Sequence, residues 1–135
     1  YQVSAQTDRM GCRLDGPQIE SSRGSDIISD GIALGSIQIP AQGTPIVMLA
    51  DRQTTGGYAK IATVASVDIP LLVQRATKQY VQFKPVSVIE AQRLLVAERD
   101  YYRNVRANAR GRLTLEMPCI EPNDHAGEPT MPPVE

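Results

Sequence analysis

Short apolar or alternating segments, interrupted by glycine, proline and aspartate, follow one another from Tyr1 to about Phe83 and limit the folds open to this chain. Such segments are typical of β-strands, because a helix needs a longer run with a period near 3.6. The pattern predicts a mainly β unit that closes as a barrel or stacks as a sandwich. Seven strands are predicted, over residues 1–7, 10–14, 26–29, 32–39, 45–50, 61–67 and 80–84.

Two helices are predicted beside these strands. In the first, residues 68–74, Asp68 supplies an N-capping carboxylate and Pro70 lies in the first turn, so a short helix that plugs one end of the barrel is expected. The second begins with a capping-box pattern from Ser87 to Glu90 and continues at helical spacing to about Ala109. Its outer face is expected to be solvated.

The predicted organisation is therefore a β domain over residues 1–86, a helix over residues 87–110 and an extended, disordered tail over residues 111–135. A short edge strand at residues 113–115 is an option. The proline content of the tail argues against a packed element. The sole histidine, His125, falls in this tail, away from any rigid catalytic arrangement.

Charge and cysteine content exclude several classes of partner. Fourteen basic and fifteen acidic residues give a formal charge of −1, so no overall field favours nucleic acid or an anionic membrane surface. Cys12 and Cys119 lack the spacing of metal ligands, and we expect two reduced thiols and no metal. The absence of a long apolar run or leader pattern favours a cytoplasmic protein, although a chain that starts at Tyr1 is expected to have residues upstream.

The densest polar cluster is the segment from Asp51 to Tyr58, DRQTTGGY, which is predicted to be a loop between two strands. It offers a carboxylate, a guanidinium, an amide, hydroxyls and a phenol, and its two glycines let backbone N–H groups approach a ligand. A plain hairpin, in which these residues serve only the turn, is an equally good interpretation of the spacing.

Two further segments carry polar residues near glycines. In the first, from Ser4 to Pro17, Arg9 and Arg13 could bind an anion, but an ion pair from Asp8 to an arginine that stabilises the turn is the more common arrangement. In the second, Gln38 lies in a strand and is either a ligand-binding amide or an exposed strand residue.

Together these segments, SxxxDRMGxRLxGP followed by GxIQIPxxGxPIVMLADRQTTGGY, resemble the subunit 2 family of allophanate hydrolase. This family includes the C subunit of bacterial 5-oxoprolinase, the antagonist of a sporulation-kinase inhibitor and part of the carboxyltransferase domain of urea carboxylase. The resemblance implies a cyclophilin-like closed β-barrel that corresponds to the C-terminal half of the family domain, with a further half preceding it.

The resemblance also implies a function. We expect part of a subunit that acts on a small amide or lactam, most simply in ATP-dependent conversion of 5-oxoproline to glutamate, and that is inactive alone. The implied partners are a subunit 1 protein similar to the kinase inhibitor and an ATP-using or amidase component. ATP would be used by the assembly, with no cofactor on this piece, and carboxybiotin would serve a urea carboxylase. A urea carboxylase component and a non-catalytic regulatory module remain alternatives.

Roles for individual residues follow from the resemblance and from what a ring amide needs. Asp51 is the predicted catalytic residue, as acceptor of a proton or hydrogen bond. The predicted substrate-binding residues are Arg9, Arg13, Gln38, Gln53, Thr54, Thr55, Gly56, Gly57 and Tyr58. Peptidyl-prolyl isomerase activity and a serine or cysteine hydrolase are disfavoured because no histidine lies in the ordered region. Lys60 is either a base or, more commonly, an exposed lysine at a strand end.

Overall fold

A computed structural model describes residues 1–20 and 26–109, with the backbone alone for Asp26 and Ile27. This part of the chain is mainly β, as predicted. Six strands form one antiparallel sheet in the order β1-β2-β5-β4-β6-β3. They are β1 (Gln2–Val3), β2 (Gly11–Asp15), β3 (Asp26–Gly31), β4 (Ser36–Ile39), β5 (Ile46–Met48) and β6 (Thr55–Thr63). A 3-10 turn (Ser66–Asp68), helix α1 (Ile69–Val73) and helix α2 (Val88–Asn108) follow.

The hydrophobic core lies against the central strands. Alternate residues of a strand point to one face, which brings Cys12 and Leu14 of β2 together with Ile37 and Ile39 of β4. Helix α1 adds one buried side chain, and burial of each such group contributes about 1.5–3 kcal/mol. The buried cluster consists of Val3, Cys12, Leu14, Ile37, Ile39, Val47, Leu49 and Leu72. The short helix therefore packs against the core of the sheet through Leu72.

The outer edge of β1 is covered by the segment 78–81. The N–H of Val3 donates to Gln79 O at 2.9 Å, and the N–H of Val81 donates to Tyr1 O at 2.9 Å. Of the predicted strand 80–84, only Tyr80 takes part in a bridge, with Gln2, so that strand prediction is wrong. In the described part of the chain, β1 and β3 are the two edge strands of the sheet, and no hydrogen-bonded pairing joins them. The structure therefore establishes an open sheet of six strands.

The predicted loop over residues 51–58 is wrong in its second half. Strand β6 begins at Thr55 and pairs with β3 on one side and β4 on the other. Local sequence favours a turn at Gly56 and Gly57, but the pairing of Gly56 with Asp30 of β3 keeps this stretch in the sheet. Strand β4 pairs with β6 further along, from Ala59 to Thr63. The predicted strand 32–39 begins only at Ser36, because Gly35 has φ +82° and turns the chain.

The helix predictions hold with one correction. The N–H of Glu90 donates to Ser87 Oγ at 3.2 Å, which confirms the predicted cap of α2. Asp68 does occupy the N-cap position of α1, but its carboxylate makes no capping hydrogen bond. No residue of α2 is buried. The chain divides into two compact units, Tyr1–Tyr101 and Tyr102–Glu135, and every described strand lies in the first.

Neither described helix combines the length and the apolar character that a membrane span requires. The predicted strand at residues 113–115, the tail and His125 all lie outside the described residues.

Candidate functional site

The segment that precedes β2 and the segment that follows β5 meet at one end of the sheet, through Arg9 and Asp51. The N–H of Asp51 donates to Arg9 O at 3.1 Å, and the Arg9 guanidinium lies 2.7 Å from Asp51 Oδ2. Asp8 does not pair with an arginine in this turn. Its Oδ1 instead accepts hydrogen bonds from the N–H groups of Met10 at 2.8 Å and Gly11 at 3.0 Å. The predicted catalytic carboxylate, Asp51, is therefore held beside a predicted anion-binding residue.

Arg52 fixes the segment that follows. Its Nε donates to Ile32 O at 2.9 Å, and its Nη1 donates to Leu49 O at 3.2 Å. The N–H of Ile32 in turn donates to Thr54 O at 2.9 Å. The guanidinium is thus used to hold the backbone rather than to bind a ligand. Its position in the DRQ sequence, immediately after a strand, is the one signal that could have suggested this role.

Gln38 is the most unusual residue of the site. It lies in β4 between two core isoleucines and points to the other face of the sheet, yet its side chain is only 2% exposed. The interpretation as an exposed strand residue is therefore wrong. Its Nε2 has no hydrogen-bond partner in the part of the chain that the structure describes. Buried amide donors are almost always paired, so this one indicates a binding function or a bound water.

Gly56 lies beside the amide of Gln38, at a point too crowded for a side chain. A Cβ placed on Gly56 would lie 3.5 Å from Gln38 Nε2, 3.3 Å from Gln53 Nε2 and 2.8 Å from Ile32 Cδ1. The missing side chain therefore brings two amide groups to one point of backbone. The structure thus unites three of the predicted substrate-binding residues from two motif segments, Gln38, Gln53 and Gly56.

Lys60 lies in the middle of β6, directly opposite Gln38 in register, and is not an exposed strand-end lysine. Its side chain is 20% exposed, and Nζ forms an ion pair with Asp30, 3.2 Å from Oδ2. The pKa of Asp30 is lowered, first by the hydrogen bond from the Gly31 N–H and then by Lys60. Neither Lys60 nor Asp30 was among the predicted binding residues. We call Gln38, Gln53, Gly56 and Lys60 the donor pocket.

The other predicted binding residues have weaker support from geometry. Arg13, Thr54 and Thr55 are exposed, and Tyr58 is 40% exposed on β6. Gly57 follows Gly56 in the same strand. Their roles in binding stay predictions, because exposure alone does not define a site.

Cys12 has a structural position. It is 1% exposed in the core, and burial raises the pKa of its thiol, an effect that the nearby Thr7 hydroxyl partly opposes. A thiol in such surroundings is a poor nucleophile. Within the described ranges, no group of three or more histidine, cysteine, aspartate or glutamate residues is arranged to hold a metal ion.

Comparisons with known proteins agree with the motifs. Residues 1–85 match the family described as carboxyltransferase domain, subdomains A and B. The chain is 37% identical over 106 residues to the 5-oxoprolinase C subunit of Haemophilus influenzae and 34% identical over 105 residues to that of Escherichia coli. Each match covers 78% of this chain, which spans about a third, 34%, of the length of each relative.

Solved structures show the same relationship. Crystal structures of TTHA0988, determined in more than one space group, share 39% sequence identity with this chain at a TM-score of 0.51. The similarity covers 57% of this chain and 15% of that protein. The family match extends over more than half of the chain and includes both motif segments, which confirms the resemblance seen in the sequence. This chain therefore belongs to the carboxyltransferase domain family, subdomains A and B.

Proposed function

We propose that this chain is part of a 5-oxoprolinase-type subunit that binds a small amide or lactam for an ATP-dependent reaction carried out with partner subunits. The family and the two relatives, each named as the C subunit of a 5-oxoprolinase, support this proposal. The observation that carries it is the buried, unpaired Nε2 of Gln38 beside Gln53 and Gly56. A lactam oxygen requires this kind of fixed donor.

The chemistry of the donor pocket suits an amide carbonyl. Negative charge grows on the carbonyl oxygen as a lactam is activated, and fixed donors aimed at that charge lower the barrier. In our proposal the side chains of Gln38 and Gln53 and the backbone of Gly56 and Gly57 bind the ring amide. We assign the exposed side chains of Thr54, Thr55 and Tyr58 to the rim of the donor pocket.

Asp51 is proposed as the acceptor of a substrate proton or hydrogen bond. Arg9 Nη2 lies 2.7 Å from Asp51 Oδ2, so in this proposal Arg9 orients the carboxylate. Arg9 is then a positioning residue rather than a ligand for substrate. Arg13 remains a candidate for contact with an anion from β2.

The assembly would provide what this chain lacks. We propose a subunit 1 partner and an ATP-using or amidase component, with ATP bound elsewhere in the complex. If urea were the substrate, carboxybiotin would be required as the carboxyl donor.

We also propose that the sheet belongs to the cyclophilin-like closed barrel of the family. A groove of about 950 Å³ opens beside the core, and several large apolar side chains along it are exposed. They include Ile61, Leu71, Tyr80, Phe83 and Val86. Because the relatives are much longer than the matched region, we assign the closure of the barrel over this groove to the remainder of the family domain.

The decisive experiment is ATP-dependent conversion of 5-oxoproline to glutamate by the complete polypeptide with its partner subunits, beside urea as the competing substrate. We expect turnover of 5-oxoproline that requires this polypeptide. Asp51→Ala should abolish turnover without lowering the melting temperature, whereas Asp15→Ala, an exposed aspartate at the end of β2, should leave it unchanged. Turnover of urea alone would reassign the substrate, and no turnover with either would favour a regulatory module.

A further inference from the structure

Two buried side-chain nitrogens of the donor pocket have no hydrogen-bond partner among residues 1–20 and 26–109. They are Nε2 of Gln38 and Nζ of Lys60. The two residues are directly opposed on β4 and β6, and the Cβ atoms of such a pair lie about 5 Å apart. A buried unpaired amide donor is costly, and the ammonium of Lys60 has an exposed carboxylate, that of Asp30, as its ion-pair partner. An unpaired amide donor on the residue opposite a lysine indicates that this place binds a group with several acceptor oxygens.

The charge of Lys60 is only partly neutralised by its ion-pair partner, Asp30. Asp30 is 3.2 Å away, but its side chain is 70% exposed, whereas that of Lys60 is 20% exposed. The Asp30 carboxylate also accepts a hydrogen bond of 2.7 Å from the N–H of Gly31. An ammonium group has three N–H donors. Lys60 can therefore keep Asp30 as a neighbour and still bind an anion from the side of Gln38.

The arginines of the motif segments are less suited to this task. Arg9 is 87% exposed and is paired with Asp51. Arg52 donates to two backbone carbonyls. Arg13 is exposed on β2. Lys60 is the cation that shares a cross-strand position with a buried amide donor.

We infer that Lys60 binds the carboxylate of a lactam that bears one, while the amides of Gln38 and Gln53 bind its ring amide. This inference rests on the proposed function and adds to it a specificity residue, Lys60, which would distinguish carboxylate-bearing lactams such as 5-oxoproline from lactams that lack a carboxylate. In 5-oxoproline the carboxylate is attached next to the ring nitrogen, so one compact ligand offers both groups to adjacent donors. Urea has no carboxylate, so it would gain nothing from the charge of Lys60.

A purely structural role for Lys60 makes a different prediction. If Lys60 only tied β6 to β3 through Asp30, removal of either partner would have the same effect on the protein. If Lys60 binds substrate, removal of Asp30 leaves the ammonium in place and keeps or tightens the binding of an anion. The pair Lys60→Met and Asp30→Asn therefore separates the two roles.

The test measures the binding of two lactams to the assembled enzyme without ATP, by calorimetry. One is 5-oxoproline and the other is pyrrolidinone, the same ring without the carboxylate. We expect wild type to bind 5-oxoproline 10- to 100-fold more tightly, which is about 1.4–2.8 kcal/mol. Lys60→Met should remove this preference and leave the affinity for pyrrolidinone unchanged. Lys78→Met, in an exposed turn, is the matched control.

Asp30→Asn should change the affinity for 5-oxoproline by less than about fivefold, the ordinary range for an exposed ion pair. Lys60→Gln, which keeps a polar group, provides a second neutral variant should Lys60→Met fail to fold. A Lys60 variant that still prefers 5-oxoproline, or an equal loss in Asp30→Asn, would overturn the inference while the proposed function stands. Failure of wild type to bind either lactam would instead refute the proposed function.

Discussion

Replacement of Gln38 by methionine should stabilise the protein and inactivate it at the same time. Methionine has a similar length, so it fills the site without a large cavity. It removes the unpaired Nε2, whose burial costs about 1–3 kcal/mol, and it forfeits any hydrogen bond of the amide oxygen, worth about 0.5–1.5 kcal/mol. The net expectation is a gain of about 1 kcal/mol in the free energy of unfolding. For a chain of 135 residues, this corresponds to about 4 °C in Tm.

The same change should lower the turnover of 5-oxoproline, because a donor that faces the developing oxyanion is lost. Removal of one such donor typically costs about 100- to 1000-fold in kcat. Thermal unfolding followed by circular dichroism and the coupled turnover assay measure the two effects on one preparation. The control is Gln42→Met, since Gln42 is exposed in the turn after β4 and should alter neither quantity.

The two measurements together can refute the role of Gln38. A lower Tm with lower activity would mean that the amide supports the fold through hydrogen bonds, so the loss of function would be indirect. A higher Tm with full activity would mean that no substrate group touches Gln38. Only a rise in Tm combined with a loss of turnover agrees with a donor kept unpaired for a ligand.

Three further changes test individual features of the fold. Lys78 has φ +68°, a conformation that costs a non-glycine residue about 1–2 kcal/mol, so Lys78→Gly should raise the free energy of unfolding by about 0.5–1 kcal/mol after the added entropy of the unfolded chain, as measured by urea titration. Gly35→Ala should destabilise by about 1–3 kcal/mol in the same titration, because φ is +82° and a Cβ would lie 2.9 Å from a backbone carbonyl oxygen. An unchanged urea midpoint in either variant would contradict the backbone strain argued for that residue. The lowered pKa of Asp30, caused first by the Gly31 N–H and then by Lys60, contributes stability that is present above the ordinary value of 3.8 and is lost as pH falls through the lower folded value. Asp30→Asn should therefore lose less stability than wild type as the pH falls through this range. The same loss in both proteins would contradict the lowered pKa of Asp30.

Local patterns were sufficient for most elements of the fold. The Ser87 capping box located α2, and the proline in the first turn located α1, because helix starts depend on a few neighbouring side chains. The apolar segments located β2 and β4 within the predicted strands 10–14 and 32–39. These features are determined within a few residues of sequence, so they need no knowledge of what packs against them.

The errors arose where distant pairing decides the outcome. Gly56 and Gly57 have the local signature of a turn, but pairing with β3 from Thr55 to Tyr58 extends β6 through both residues. The strand predicted at residues 80–84 has suitable side chains, yet only Tyr80 is bridged. Strand propensity reflects the surroundings that the rest of the protein provides, so sequence windows of this length could not settle either case.

The donor pocket combines both situations. The motifs pointed to Gln38, Gln53 and Gly56, but alternation alone made Gln38 an exposed residue and Lys60 a strand-end lysine. A central strand can be covered on both faces, and a register shift between Ile37 and Gln38 brings Lys60 opposite the buried amide. Polar groups in such positions weaken a core unless they serve another purpose. An unpaired amide of Gln38 beside Gly56, opposite a lysine on the neighbouring strand, is therefore better explained by selection for binding than by selection for stability.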